Sequence, residues 1–163
     1  MRPTTFTLAT LIALVALGTY AVTAPAPVEP DHSDVPSFRP SATWETRLVD
    51  VEDGDTIVVQ VALWPGLGLR AVVRLRDIDA PEIRHASCDG ERQLGYAAKS
   101  ALAATITRGD TIFLRDVRAD RFNDRVQAHV FTARGVDLGA TLLHSGLVKP
   151  YDNNSGQKPD WCP

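Results

Sequence analysis

Short runs of β-branched and apolar residues alternate with polar turns through the middle of the chain. Arg47–Val51 and Thr56–Val61 are two such runs, and the Asp53-Gly54 dipeptide between them is typical of a tight turn joining neighbouring strands. Leu63–Leu69, which contains a tryptophan, a proline and two glycines, predicts a wide apolar hairpin loop. Leu69–Arg76 predicts a third strand, so the pattern indicates three consecutive strands joined by hairpins.

The period of the hydrophobic pattern changes after the third strand. Glu91–Ile106 has the i, i+3, i+4 spacing of a helix with one face in a core. Its predicted apolar stripe comprises Leu94, Ala97, Ala98, Ala101, Leu102 and Ile106. Thr111–Val117 and Arg125–Phe131 predict two more strands. Val136–Ser145, followed by Gly146 at a favourable capping position, predicts a second helix. This order indicates a five-stranded OB-type β-barrel with two flanking helices.

The N-terminal residues predict export from the cell. Arg2 is the only charged side chain before Glu29, and Phe6–Ala24 is mostly apolar, which is typical of a secretory signal. The same segment is about long enough to span a bilayer if it is not cleaved. We therefore expect residues 1–24 to be a signal peptide or a membrane anchor. The protein would then be periplasmic, secreted, or anchored in the membrane and facing outward.

Composition divides the rest of the chain into three parts. Residues 25–43 are rich in proline and predict an extended linker. Residues 44–151 form the predicted barrel domain, and residues 152–163 form a polar C-terminal tail. The whole chain has 163 residues with 44% hydrophobic and 23% charged residues, which is typical of one globular domain with extensions.

Net charge and cysteine content limit the classes of protein that fit. The formal net charge of −3 gives no overall basic field, so any binding of nucleic acid must depend on local arginines. The only cysteines, Cys88 and Cys162, are too few for a disulfide-rich scaffold. In an oxidising compartment one bridge between them would tie the tail to the loop that precedes the first helix. Two free thiols are the alternative.

Candidate chemistry is concentrated where the third strand ends, in the stretch Arg74–Glu82. It contains two arginines, two aspartates and one glutamate, and Pro81 directs the chain into a loop. Mixed charge in a short segment suits a hard cation, an anionic substrate and a general base, although structural ion pairs also cluster charge. Asp55, in the preceding turn, is a second carboxylate that the barrel could bring to Asp79.

Several ordered blocks of residues, together with this stretch, resemble the staphylococcal nuclease (thermonuclease) family. The blocks are Asp53-Gly54-Asp55-Thr56, Gly95-Tyr96-Ala97, Asp120-Arg121-Phe122, Asp137-Leu138-Gly139-Ala140 and Gly146-Leu147-Val148-Lys149-Pro150-Tyr151. The likeness runs from about Leu48 to Tyr151 and agrees with the OB-type order of elements.

The resemblance implies a metal site and two phosphate-binding arginines. Asp55, Asp79 and the backbone carbonyl of Ala80 would bind Ca²⁺, which prefers oxygen ligands. Arg74 and Arg125 would hold the scissile phosphate, because guanidinium groups match phosphate oxygens in a bidentate way. The chain carries one residue more than the family pattern between Asp120 and Arg125. Arg121 is therefore the alternative second arginine.

The resemblance also implies roles for a carboxylate and an aromatic residue. Glu82 would accept a proton from the attacking water or orient that water. Tyr151 lies near the family's aromatic substrate contacts, so it is a candidate for substrate binding.

The expected activity is that of a monomeric calcium-dependent nuclease that hydrolyses DNA and RNA with little sequence preference. One alternative is a non-catalytic OB-type module that binds single-stranded nucleic acid. A second alternative is a cell-surface domain that binds protein through the same face. Neither alternative accounts for the combination of carboxylates and arginines.

Overall fold

The computed structural model describes residues 42–121, 124–152 and 156–162. The predicted signal or anchor, and the predicted linker up to residue 41, lie outside the described residues. Among the helices of the described ranges, none is both long enough and apolar enough to cross a membrane.

Five long strands close into a barrel, and two helices flank it. The elements in chain order are β1 Trp44–Asp53, β2 Thr56–Trp64, β3 Leu67–Leu75, β4 Ile78–Asp79, α1 Asp89–Thr105, β5 Thr111–Ala119, β6 Arg125–Thr132, α2 Leu138–Ser145 and β7 Lys149–Pro150. Around the barrel the order is β1-β2-β3-β6-β5, and β4 pairs with β7 in a small separate sheet. The predicted five-stranded barrel with two helices is confirmed, whereas the two short strands were not predicted.

Alternation along the strands divides interior from exterior. Ile57 pairs with Val73 in the antiparallel β2–β3 ladder, and both side chains are fully buried in the barrel. Their neighbours Thr56 and Arg74 pair with each other and point to the opposite face, because successive strand residues alternate. β3 continues into a parallel pairing with β6, which closes the barrel and brings Arg125 opposite Val72. This outer face of β2, β3 and β6 carries the candidate chemistry.

The β2–β3 connection differs from the wide loop predicted over Leu63–Leu69. Both strands continue through that segment, and the turn lies at Pro65-Gly66, where Gly66 has a φ of 85°. Proline followed by a glycine with positive φ is the signature of a tight two-residue turn. β1 follows β2 only as far as Gln60, so the apolar ribbon projects beyond the barrel. Trp64 at its end is 68% exposed.

The buried face of α1 also differs from the predicted apolar stripe. Leu94 is 40% exposed, whereas Gly95 is buried. A Cβ atom at Gly95 would lie 2.7 Å from the carbonyl oxygen of Pro81, so the helix packs directly on the backbone of the loop after β4. Hydrophobicity alone could not predict this face, because it depends on a glycine that allows close approach of two backbones.

α2 directs the end of the domain back towards β4. Asp137 caps its N-terminus by accepting a hydrogen bond from the N–H of Ala140, and Gly146 ends it in the left-handed conformation. The chain then enters β7, where Lys149 pairs with Asp79, and the N–H of Tyr151 donates to the carbonyl oxygen of Asp77. The C-terminal segment therefore returns to the charged stretch at the end of β3.

Replacing Gly95 by alanine should destabilise the protein although alanine favours helices. The added methyl group overlaps the Pro81 carbonyl, so we expect the free energy of unfolding to fall by about 1–3 kcal/mol in urea titrations. Gly90→Ala in the same helix is the control, since the nearest neighbour of its added Cβ would be the Cys88 sulfur at 3.8 Å. Gly90→Ala should leave stability unchanged or raise it by up to about 1 kcal/mol. Equal stability of the two variants would refute the packing described for α1.

Candidate active site

A buried ion-pair cluster lies where β2 begins and β3 ends. One terminal nitrogen of Arg74 is 2.9 Å from Oδ2 of Asp55, and the other donates to Oδ1 of Asp79 at 2.7 Å. All three side chains are buried. Asp55 is brought to Arg74 by the hairpin, because Thr56 pairs with Arg74, and Asp79 arrives on β4 five residues later. The two predicted carboxylates therefore meet at one guanidinium.

Further hydrogen bonds fix the carboxylate of Asp55. Oδ1 accepts from the hydroxyl of Thr56 at 2.9 Å, and Oδ2 accepts from the N–H of Ala80 at 3.0 Å. Burial raises the pKa of Asp55, and the charge of Arg74 and these hydrogen bonds oppose that rise. The negative charge of Asp55 therefore depends on Arg74, Thr56 and the N–H of Ala80 for its stabilisation.

Asp53 adds a carboxylate that is incompletely satisfied. Its Oδ1 is buried and accepts no hydrogen bond from the described residues. Burial, followed by the charges of Asp55 and Glu82, raises the pKa of Asp53. Asp53 therefore lies in the field of at least two other carboxylates, Asp55 and Glu82, which the charge of Lys99 only partly offsets.

The predicted calcium ligands fit a hard cation in their chemistry. Asp55 and Asp79 bring two carboxylates together, and the orphaned oxygen of Asp53 lies in the same negative field. Within residues 42–121, 124–152 and 156–162, no three histidine, cysteine, aspartate or glutamate side chains converge on one point. A cation here would be held by two carboxylates, with backbone carbonyl and water oxygens completing its shell.

Glu82 is held by a helix residue that the sequence did not single out. Glu91 is buried in α1, and its carboxylate accepts hydrogen bonds from the backbone N–H groups of Glu82 at 3.3 Å and Ser87 at 2.6 Å. An acidic residue in the first turn of a helix is also favoured by the helix dipole. Glu91 and the close packing at Gly95 together fix the backbone that carries Glu82.

Glu82 and Arg125 line one open cleft of about 590 Å³. The other lining residues are Glu52, Asp53, Thr56, Val72, Ile83, Arg84, His85, Tyr96, Lys99 and Asp124. Tyr96 is 55% exposed and supplies an aromatic ring to the cleft wall. Tyr96 is absent from the apolar stripe predicted for α1. That absence was the sequence signal for a side chain outside the core.

The two arginines of the β5–β6 connection face different hollows. Arg125 lines the cleft with Glu82, and its Nε donates to the buried carboxylate of Asp120. Arg121 lines the neighbouring hollow with Asp77, and its guanidinium donates to the hydroxyl of Tyr151 at 3.1 Å. Arg125 is therefore the arginine that shares the cleft with Glu82.

Tyr151 is buried beneath the ion-pair cluster. Its ring centre lies 5.8 Å from the guanidinium carbon of Arg74, within the range of a cation–π contact. This position, together with the hydrogen bond from Arg121, supports Arg74 from below. A direct contact between Tyr151 and substrate stays a prediction.

The C-terminal tail contacts the same residues, and its contacts with Glu82 and Asp79 were not predicted from the sequence. Cys162 forms the predicted bridge with Cys88. Lys158 pairs with the carboxylate of Glu82, and the indole N–H of Trp161 donates to Oδ2 of Asp79 at 3.3 Å. One sequence signal did indicate the position of Trp161. It directly precedes Cys162, which was expected to form a disulfide bond in the loop that follows Glu82.

Asp120 should stabilise the fold in a pH-dependent way. Burial alone would raise the pKa of Asp120. The hydrogen bond and charge of Arg125, together with hydrogen bonds from Gln127 and the backbone of Arg121, outweigh burial and lower the pKa. The folded state then binds fewer protons than the unfolded chain. The stability from Asp120 is complete above the ordinary aspartate pKa and is lost as pH falls through the lowered pKa.

We expect Asp120→Asn to lower the free energy of unfolding by about 1–3 kcal/mol near neutral pH. The deficit should shrink once the pH falls below about 3.9, the ordinary aspartate value. Urea titrations at several pH values measure it, with Asp124→Asn, an exposed aspartate of the same connection, as the control. A deficit that is the same at every pH would contradict the ion-pair account.

Comparison with known families agrees with this geometry. Residues 72–160 match the family described as staphylococcal nuclease homologue. The match covers more than half of the 163 residues and includes Arg74, Asp79, Glu82 and Arg125. No curated protein matches the chain. With its closed five-stranded barrel and two helices, the chain belongs to the staphylococcal nuclease homologue family.

Proposed function

We propose that this protein is a calcium-dependent nuclease that hydrolyses phosphodiester bonds of DNA and RNA with little sequence preference. The observation that carries the proposal is the shared cleft of Glu82 and Arg125, which borders the strand face of Arg74. Membership of the family supports a nuclease, and the family is generally calcium-dependent.

The arginines would bind and stabilise the phosphate. Arg74 is already oriented by Asp55 and Asp79, so its remaining N–H groups are preorganised for phosphate oxygens. Arg125 is oriented by Asp120 and lies on the neighbouring strand β6. There it pairs with Val72, two residues before Arg74. Two guanidinium groups on one face gain most when negative charge accumulates on the phosphorane oxygens.

Glu82 would accept a proton from the attacking water or orient that water. The water oxygen then forms the new bond to phosphorus while the bond to the leaving oxygen breaks. The water's proton passes to the carboxylate, and the leaving oxygen takes up a proton from solvent. Glu91 and Gly95 fix the backbone of Glu82, which limits the positions that its carboxylate can reach. Ca²⁺ bound by Asp55, Asp79 and the Ala80 carbonyl would polarise the phosphate.

The chain outside the barrel gives the proposal a cellular setting. We infer that residues 1–24 direct export and that the nuclease works in the periplasm, outside the cell or anchored to the membrane. Residues 25–43 would serve as a spacer, and residues 44–151 with the tail at 152–163 would act as a monomer. The disulfide bond between Cys88 and Cys162 supports an oxidising compartment.

Digestion of single-stranded DNA and of RNA by the purified protein tests the activity. We expect cleavage with Ca²⁺ and none with a chelator. Glu82→Gln should lower the rate by about 10²–10⁴-fold, because the amide cannot accept the proton. Glu45→Gln, an exposed glutamate of β1, should leave it unchanged. Tight binding of single-stranded DNA without cleavage under any condition would instead favour a non-catalytic binding module.

Arginine variants test which residue of the β5–β6 connection binds the phosphate. We expect Arg125→Ala to lower kcat by about 10²–10³-fold, since it removes a donor to the developing charge. Arg121→Ala should have a smaller effect, through the support it gives to Tyr151. Asp120→Asn controls for loss of the ion pair alone. A normal rate in Arg125→Ala with a large loss in Arg121→Ala would reverse the assignment.

A further inference from the structure

Residues Gly156–Cys162, which we call the C-terminal strap, cross the candidate site. Lys158 contacts Glu82, Trp161 contacts Asp79, and Cys162 is covalently bound to Cys88. The strap therefore contacts both Glu82, the proposed acceptor of the water's proton, and Asp79, a proposed calcium ligand. Trp161 makes the contact that lies deepest, because the side chain of Asp79 is only 2% exposed.

Trp161 is held in position from several directions. The ammonium group of Lys149 lies 4.1 Å from the centre of its indole ring and also donates to the carbonyl oxygen of Asp160. The next residue, Cys162, is fixed by the disulfide bond. Lys149 pairs directly with Asp79 in the β4–β7 ladder, so an indole stacked on Lys149 lies beside that carboxylate. Its N–H edge is thereby directed at Oδ2.

The two oxygens of Asp79 have one donor each in these contacts. Oδ1 accepts from Arg74 at 2.7 Å, and Oδ2 accepts from the indole N–H of Trp161 at 3.3 Å. A carboxylate held at both oxygens cannot rotate about its Cβ–Cγ bond without losing a hydrogen bond. Donors around a ligating carboxylate orient its remaining lone pairs and raise metal affinity.

We propose that Trp161 is a positioning residue for Asp79, kept in place by the disulfide bond between Cys88 and Cys162. The inference rests on the proposed function, in which Asp79 is a calcium ligand. It adds that the tail of this chain completes the calcium site by holding one of its ligands in a single orientation.

An inhibitory strap is the main alternative, and the geometry favours positioning. Trp161 presents only its N–H edge to Asp79, while a face of the ring is covered by Lys149. The cleft lined by Glu82 and Arg125 has its volume of about 590 Å³ with the strap in place. The contact of Lys158 with Glu82 joins two side chains that are 48% and 32% exposed, so a substrate phosphate can displace it at little cost.

Calorimetric titration of the protein with Ca²⁺ tests the inference without relying on catalysis. Trp161→Phe keeps a ring against Lys149 but removes the N–H donor, and we expect the dissociation constant for Ca²⁺ to rise by about tenfold. Trp64→Phe, at the exposed end of the β2–β3 ribbon, should leave it unchanged. Urea titrations without Ca²⁺ verify that both variants are folded. Nuclease activity of Trp161→Phe should recover towards the wild-type rate at saturating Ca²⁺.

The double variant Cys88→Ser/Cys162→Ser provides a second route to the same result. It releases the strap while leaving Trp161 intact, and we expect it to weaken Ca²⁺ binding at least as much as Trp161→Phe. An unchanged dissociation constant in both folded variants overturns the positioning role while leaving the proposed nuclease intact. Faster cleavage by either variant also overturns it, in favour of inhibition. If the wild-type protein binds no Ca²⁺, the proposed function and the inference fail together.

Discussion

The site and the end of the barrel depend on one buried guanidinium. Arg74 joins the start of β2, the end of β3 and the short strand β4, because its two carboxylate partners come from different segments. Desolvation of three charged groups is costly, and their attraction offsets that cost only with good geometry and additional hydrogen bonds. Thr56 and the N–H of Ala80 supply such bonds to Asp55. The same ion pairs of Arg74 therefore fix both the direction of the chain after β3 and the positions of the candidate site carboxylates.

The loop after β4 connects this cluster to Glu82, which lies three residues after Asp79. α1 approaches the loop closely enough for Gly95 to meet backbone atoms, and Glu91 accepts hydrogen bonds from two of the loop's N–H groups. Preorganised groups lower the reorganisation needed during a reaction. The irregular backbone that carries Glu82 is thereby fixed by two hydrogen bonds and by a close contact with α1.

The sequence predicted the barrel and most of the convergent charges for physical reasons. Alternation identifies strands, and the Asp53-Gly54 turn brings Asp55 beside the end of β3. The apolar ribbon was misjudged as a wide loop, because composition does not reveal where the neighbouring strand stops pairing. Glu91 and Trp161 were missed for a different reason. Their roles depend on contacts between segments distant in the chain, and the only local pattern that indicated one of them was the adjacency of Trp161 to Cys162.

The disulfide bond has a consequence for cleavage of the chain by proteases. Cys88 and Cys162 close a covalent ring of 75 residues that contains both helices, β5, β6 and β7. A single cut anywhere in this ring, including the connection next to Arg125, leaves one covalent molecule with two additional chain ends. The nicked piece bearing Arg125 stays tethered to the piece bearing Arg74, so the two halves of the proposed phosphate-binding face remain at high effective concentration. Loss of this face by nicking therefore requires either a second cut or reduction of the bridge.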